Sequence, residues 1–388
     1  MKERIVITGA GVVSALGCGK ADNLAALKAC RTGIAPVRFL STSLKDKLVG
    51  EVPFPNEWLC ERLGLSEGFP RSSLLGIMAL QEALKQACLL SEGKIEPFPL
   101  VSGTTVGGMD LTEKCFPSFS KYHDCGASTE AIASRFSVIS SSTTVSTACS
   151  SALNAILFGA NLIRNGLYDR VAVGGAEALS NFHLNGFNSL MILDDKPCCP
   201  FDASRAGLNL GEGAAYLILE KESAALSREA HVLGIVSGGG NACDAFHQTA
   251  SSENGEGAFL AMGKALTDSG LTAADIDYVN AHGTGTVNND ASESAALCRV
   301  FGDNLPPISS TKAYTGHTTS ASGSIEAVFC LLAIQEGIVF PQLNFTTPDP
   351  ACIVPTPGEQ KPVVNVLCNS FGFGGNDSSL ILSRYDKR

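Results

Sequence analysis

The sequence predicts an α/β chain built around buried sheets. Runs of strand length, β-branched and apolar, alternate with longer apolar runs of helix length. With 388 residues, 45% apolar and 17% charged, the chain can bury a sizeable core. No Pro/Gly/Ser-rich linker separates parts that could move independently.

The first strand begins at Ile5-Val6-Ile7-Thr8. Gly9-Ala10-Gly11-Val12-Val13-Ser14 then nearly matches a dinucleotide fingerprint, but Ser14 replaces the third glycine. No second strand ends in an acidic residue about 20 positions on, as that fingerprint requires. The segment is expected to form a tight strand-to-helix turn, not a nucleotide site. Thr143 to Thr147 is β-branched and reads as a strand, and Ala152 to Ile163 is apolar nearly all round and reads as a buried helix. Between them lies Thr147-Ala148-Cys149-Ser150-Ser151, a turn whose serines suit a helix start. Val232 to Val236 opens a second series of strands. Asp277 to Ala281 is strand-like and leads into His282-Gly283-Thr284-Gly285-Thr286, after which a helix should carry Asp290 and Glu293 one turn apart on one face. Pro307 to Thr311 is a further strand, followed by Lys312-Ala313-Tyr314-Thr315-Gly316-His317. The apolar run from Ala327 to Phe340 is broken by Glu336 and Gly337, so it reads as a buried helix and not a membrane span. Ala155-Ile156-Leu157 before Gly166 and Ala327-Val328-Phe329 before Gly337 form a faint internal echo.

Cys149, on a strand-to-helix turn, sits at the positive end of a helix dipole, which favours the nucleophilic thiolate. His282 and His317 each follow a strand within a Gly/Thr turn, where backbone can approach a ligand and hydroxyls can donate. One thiol and two imidazoles make a nucleophile with two hydrogen-bonding partners for a carbonyl oxygen. Asp290 and Glu293 are either carboxylates supporting the histidine turn or a solvated acidic face.

A net charge of −10 argues against nucleic acid or an anionic membrane as partner. Fourteen cysteines without disulfide-framework spacing suit a reducing cytoplasm, and the strand-like start is expected to leave no signal peptide. Cys198-Cys199 is not a CxxC pair, and no zinc pattern is present, so no metal is expected.

In these motifs the chain resembles the 3-oxoacyl-[acyl-carrier-protein] synthases, condensing enzymes with a Cys-His-His site. The resemblance starts at Ile5 to Ser14 and continues through Gly174-Gly175-Ala176-Glu177, Pro200-Phe201-Asp202-Ala203-Ser204-Arg205 and Gly211-Glu212-Gly213-Ala214-Ala215. It closes at Asn369-Ser370-Phe371-Gly372-Phe373-Gly374-Gly375-Asn376. The resemblance implies the thiolase-like fold: two pseudo-repeated βαβαβ halves in an α-β-α-β-α sandwich, divided here as residues 1–230 and 231–388 within one compact body. It implies condensation of an acyl–Cys149 thioester with a malonyl unit on acyl carrier protein. His282 and His317 would donate to the enolate, Lys312 would hold the histidine geometry, and Cys149 with Phe373 would supply oxyanion-hole N–H groups. Phe373 matches a gate, with plain core packing of Phe371 and Phe373 as the competing reading. Thr249, Thr284 and Thr286 match contacts to the phosphopantetheine arm, and Val106 and Phe187 match acyl-pocket positions. No tightly bound cofactor is implied. The expected partners are acyl carrier protein and a second subunit, in a homodimer or in a heterodimer with a related synthase-like chain.

Two other readings stay open: a non-catalytic, chain-length-determining subunit, which would lack Cys149, and a thiolase-type coenzyme A ester enzyme, which would need a second cysteine near Phe373. Asp377, Ala250, Ala206 and the hydroxyl-rich stretch Thr318 to Ser322 depart from the family's usual residues. They leave a specialised polyene or polyketide-type substrate as open as primary fatty-acid synthesis.

Overall fold

A computed structural model describes residues 3–90 and 95–387. The first half of the chain contributes β1 (Ile5–Ser14), α1 (Arg71–Gln86), β2 (Phe98–Gly103), β3 (Ile139–Val145), α2 (Ser151–Arg164), β4 (Arg170–Glu177), α3 (Asn181–Ser189) and β5 (Gly213–Lys221). Its strands pair in the order β3-β2-β4-β5-β1, with β2 parallel to β3 and β4, and β5 antiparallel to β4 and β1. The second half contributes β6 (Gly234–Cys243), α4 (Glu256–Ser269), β7 (Tyr278–Asn280), α5 (Val287–Phe301), β8 (Ile308–Ser309), α6 (Ser322–Glu336), β9 (Asn365–Gly372) and β10 (Asn376–Ser383). Its order, β8-β7-β9-β10-β6, repeats the first strand for strand, including which pairs are parallel. The faint echo in the sequence is thus a repeat of topology. The two sheets meet where β1 pairs β6 through Val6↔Ile235 and Ile7↔Gly234.

α2 and α6 form the layer between the sheets, and the central core joins Ile7, Leu153, Ile156, Val328, Phe329 and Leu380. α6 is buried from Ser322 to Ile334, as a helix in the middle of five layers must be, and it ends at Gly337 in the left-handed conformation. The two helices touch closely: a Cβ on Gly323 would lie 2.7 Å from Leu153 Cβ. α1 covers the outer face of the first sheet, with Leu74, Leu80 and Leu84 against Ala214, Tyr216 and Ile218. α4 and α5 cover the second. This is the thiolase-like α-β-α-β-α sandwich. Among the described residues no helix is long and apolar enough to cross a membrane.

One local expectation is corrected. Gly9 to Ser14 is not a turn, because β1 runs unbroken from Ile5 to Ser14. The glycines serve packing. A Cβ on Gly9 would lie 2.2 Å from the Ala83 carbonyl oxygen, and one on Gly11 2.0 Å from that of Ala79, so α1 rests directly on the strand backbone. Gln86 and Glu82 reach back from α1 to accept the Ala10 and Val12 N–H groups, each at 3.0 Å. Gly11→Ala should therefore lower the melting temperature, with overpacking costing at least about 1–3 kcal/mol. Gly263→Ala, on α4 with open space around the added methyl, should leave it unchanged or raise it. Equal melting temperatures for both variants would contradict this packing.

Candidate active site

The turn carrying Cys149 is held from several sides. Ala148 adopts φ 51, a left-handed conformation costly for a residue with a Cβ. Its neighbours hold it there: Ser151 Oγ donates to the Ala148 carbonyl at 2.6 Å and accepts the Thr147 N–H at 2.9 Å. From β9, Ser370 Oγ donates to the Cys149 carbonyl at 3.0 Å. The thiol is 6% exposed. Burial pushes it up to about 11, while Lys312 and the N–H groups of Phe373 and Cys149 pull the other way. The expected thiolate is thus corrected to a buried thiol, since desolvation outweighs the helix end. The two N–H groups that face the sulfur are those expected of an oxyanion hole.

His282 follows β7. Its turn is gripped from α5, where Glu293 accepts the His282 and Gly283 N–H groups at 2.9 and 2.8 Å. Asp290 accepts those of Thr284, Gly285 and Phe201 at 3.0, 3.2 and 2.8 Å. Both carboxylates are buried, which removes the solvated-face reading of this pair.

His317 follows a one-turn helix, Lys312–Thr315, and lies 5.3 Å from His282, ring centre to ring centre, at 84°. Lys312 is buried behind them, with Nζ 3.2 Å from His282 Nδ1 and 2.6 Å from Glu326 Oε1. An ammonium can only donate, so His282 Nδ1 accepts, and the ring proton sits on Nε2. Burial, then Lys312, then His317 hold His282 well below its ordinary range; burial, Lys312 and His183 do the same for His317. Both rings are neutral near pH 7. His317 Nδ1 lies 3.0 Å from Ser322 Oγ, a hydroxyl in the stretch that departs from the family's residues.

Cys149, His282 and His317 line one cavity of about 330 Å³. Thr249, Thr284, Thr286, Phe187 and Phe373 line it as well; Lys312, Asp290 and Glu293 stand behind it. Val106 is buried but does not line this cavity. Cys368, the nearest alternative second cysteine, is wholly buried in β9 and absent from the lining, which speaks against a thiolase-type site. Phe371 is buried against the His282 ring at 5.6 Å, whereas Phe373 is 37% exposed and stacks on Phe187 at 6.0 Å. Core packing therefore describes Phe371 but not Phe373.

Glu326 was not singled out by sequence reasoning. Its signal is an acid inside an apolar helix that is buried all round. Burial pushes its carboxyl up to about 7 against the opposing pull of Lys312, and its Oε2 has no partner among the described residues.

Asp377, a departure noted above, is buried on β10 facing Asp244 and Glu293, and burial, Asp244 and Glu293 push it up to about 8 from its ordinary 3.8. Below about pH 4 both folded and unfolded chains hold this proton. Between about pH 4 and pH 8 the unfolded chain ionises first, so stability is lost across that window and levels off above it. The melting-temperature advantage of Asp377→Asn over the parent should therefore grow from pH 4 to pH 8 and then stay level. An advantage independent of pH would contradict a protonated Asp377.

Comparison with known proteins agrees with this geometry. The beta-ketoacyl synthase N-terminal domain matches residues 2–225, and the C-terminal domain of the same family matches 233–346. Nodulation protein E of Rhizobium meliloti is 35% identical over 98% of this chain and 99% of its own. The 3-oxoacyl-[acyl-carrier-protein] synthase 2 of Synechocystis sp. is 34% identical over 99% of each chain. Among solved structures, the ishigamide ketosynthase/chain length factor superimposes with a TM-score of 0.90 at 32% identity, covering all of both chains. With its fold, its cysteine and two histidines in one cavity, and these whole-length matches, the chain belongs to the beta-ketoacyl synthase family of acyltransferases.

Proposed function

We propose that the chain catalyses decarboxylative Claisen condensation, joining an acyl group on Cys149 to a malonyl unit on acyl carrier protein to give a 3-oxoacyl thioester. The observation that carries this reading is the placement of Cys149 in one cavity with two neutral imidazoles, one of them held with its proton on Nε2.

Cys149 Sγ attacks the acyl thioester, and the negative oxygen that forms is held by the N–H groups of Cys149 and Phe373. The carrier's thiol leaves with the proton that the cysteine gave up. The malonyl thioester follows. Its carboxylate departs as CO2, and the bonding pair passes into an enolate whose oxygen accepts from His282 Nε2–H and from His317. Neutral rings suit this step because each can donate without first gaining a proton. The enolate carbon then attacks the acyl–Cys149 carbonyl, a C–C bond forms, and sulfur leaves as a thiolate that takes a proton from water to restore the thiol. Lys312, paired with Glu326, keeps His282 in the donating tautomer.

Thr249, Thr284 and Thr286 would hold the phosphopantetheine arm, and Phe187 and Val106 would bound the acyl chain. Phe373 would act as gate, a role supported by its exposure and Gly-flanked turn. We assign residues 1–230 and 231–388 to the two halves, no tightly bound cofactor and a cytoplasmic location. We propose a dimer through the outer edge of β3, an edge strand in the sheet, and favour a homodimer. The structural likeness to a ketosynthase/chain length factor makes a heterodimer with a related subunit the alternative partner.

Intact-mass analysis of the acyl adduct, run beside a CO2-release assay, tests the assignment. Cys149→Ala should form no adduct. His282→Ala and His317→Ala should still be acylated but should lose malonyl decarboxylation by about 10²–10³-fold, as loss of one oxyanion donor does elsewhere. Decarboxylation at the parent rate in both histidine variants would overturn the roles given to them.

A further inference from the structure

Phe373, Gly374 and Gly375 form the short link between β9, ending at Gly372, and β10, starting at Asn376, and Gly372 pairs with Asn376 across the two strands. The Asn376 side chain leaves this hairpin for the nucleophile's turn. Its Oδ1 accepts from Ser150 Oγ at 2.9 Å, from Asn154 Nδ2 at 2.8 Å and from Asn241 Nδ2 at 2.9 Å. Each donor is tied in turn. Ser150 is the residue after Cys149, and its one hydroxyl proton is shared between Asn376 Oδ1 and the Thr147 carbonyl, the latter at 2.7 Å. Asn154, on the first turn of α2, donates to Thr147 Oγ1 at 2.9 Å and accepts from Ser378 Oγ at 2.7 Å. Asn241, on β6, donates to that same Ser378 Oγ at 2.9 Å. One carbonyl oxygen therefore joins the base of the Phe373 loop to both flanks of Cys149.

The two N–H groups that face the Cys149 sulfur lie on opposite sides of this junction, one on the nucleophile's turn and one on the loop. Nothing in the covalent chain sets their separation, since Cys149 and Phe373 belong to different halves. We infer that Asn376 is a positioning residue that clamps the Phe373 loop to the Cys149 turn and so fixes the spacing of the two oxyanion donors. The inference rests on the reading of Cys149 as the acylated nucleophile. The clamp works through acceptance alone: three donors converge on Oδ1, so a carboxylate oxygen can replace the amide oxygen and a hydrocarbon of the same size cannot.

Asn376→Ala, Asn376→Leu and Asn376→Asp test this by single-turnover acylation from a saturating acyl thioester, followed by intact mass. Alkylation of Cys149 by iodoacetamide, which needs no oxyanion donors, is measured alongside, and melting temperatures report folding. The Ala and Leu variants should acylate about 10²-fold more slowly, the loss expected when reacting groups are displaced by about 1 Å. Asn376→Asp should recover most of that loss, and alkylation should stay near the parent rate in all three. Parent-like acylation in Ala and Leu would overturn the clamp. So would equal losses in all three variants with alkylation falling in step, which would mark a purely structural residue. A parent chain that alkylates at Cys149 but is never acylated there would overturn the functional reading, and the clamp with it.

Discussion

An ammonium held out of water is the constraint on which the rest of this site depends. Lys312 is buried, and its charge is tolerated because Glu326 lies 2.6 Å away and His282 Nδ1 takes a further donor. Three consequences follow. The histidine's tautomer is decided from behind, so its other nitrogen faces the cavity with a proton. Burial first, and then the positive charge, keep both imidazoles neutral. It also draws the Cys149 thiol downward against the larger effect of burial. One buried cation thus acts on all three reacting groups, second to burial in each, without lining the cavity itself.

The fold explains how these groups stay in register. Cys149 sits on the turn just before α2, Glu326 rides on α6, and the two helices occupy corresponding places in the two halves. They touch at Gly323 and Leu153 in the layer between the sheets. A slide of one half against the other would separate the nucleophile from the histidines, whereas Lys312 and Glu326, both in the second half, would stay paired. On the far side, Asp290 and Glu293 accept N–H groups of the His282 turn that would otherwise be buried without partners. Such carboxylates shape backbone, not substrate, which explains why two acids can sit behind a site whose chemistry also develops negative charge.

Much of this was legible in the sequence, and the misses share a cause. β3, α2 and β7 follow from β-branched or apolar runs of the right length, and Cys149, His282 and His317 stand out through the small residues around them. Local pattern carries such information. It does not carry what a distant element does. Gly9 to Ser14 reads as a turn because glycine disfavours strands, and only the approach of α1 explains a glycine-bearing strand. Asp290 and Glu293 share a face under either reading, and nothing local says whether that face is wet. The helix end near Cys149 is visible in sequence, but the burial that outweighs it is not. Glu326 was legible in principle, as a charge in the middle of a helix with no polar face.

The central claim is that His282 presents a proton on Nε2 because Lys312 occupies Nδ1. 15N NMR of the enzyme labelled at histidine, assigned with His282→Ala, reads tautomer and charge directly. The account predicts a neutral Nε2–H imidazole for His282 from about pH 5 to pH 8, the range in which an ordinary histidine titrates. An imidazolium within that range, or a neutral ring protonated on Nδ1, would contradict it.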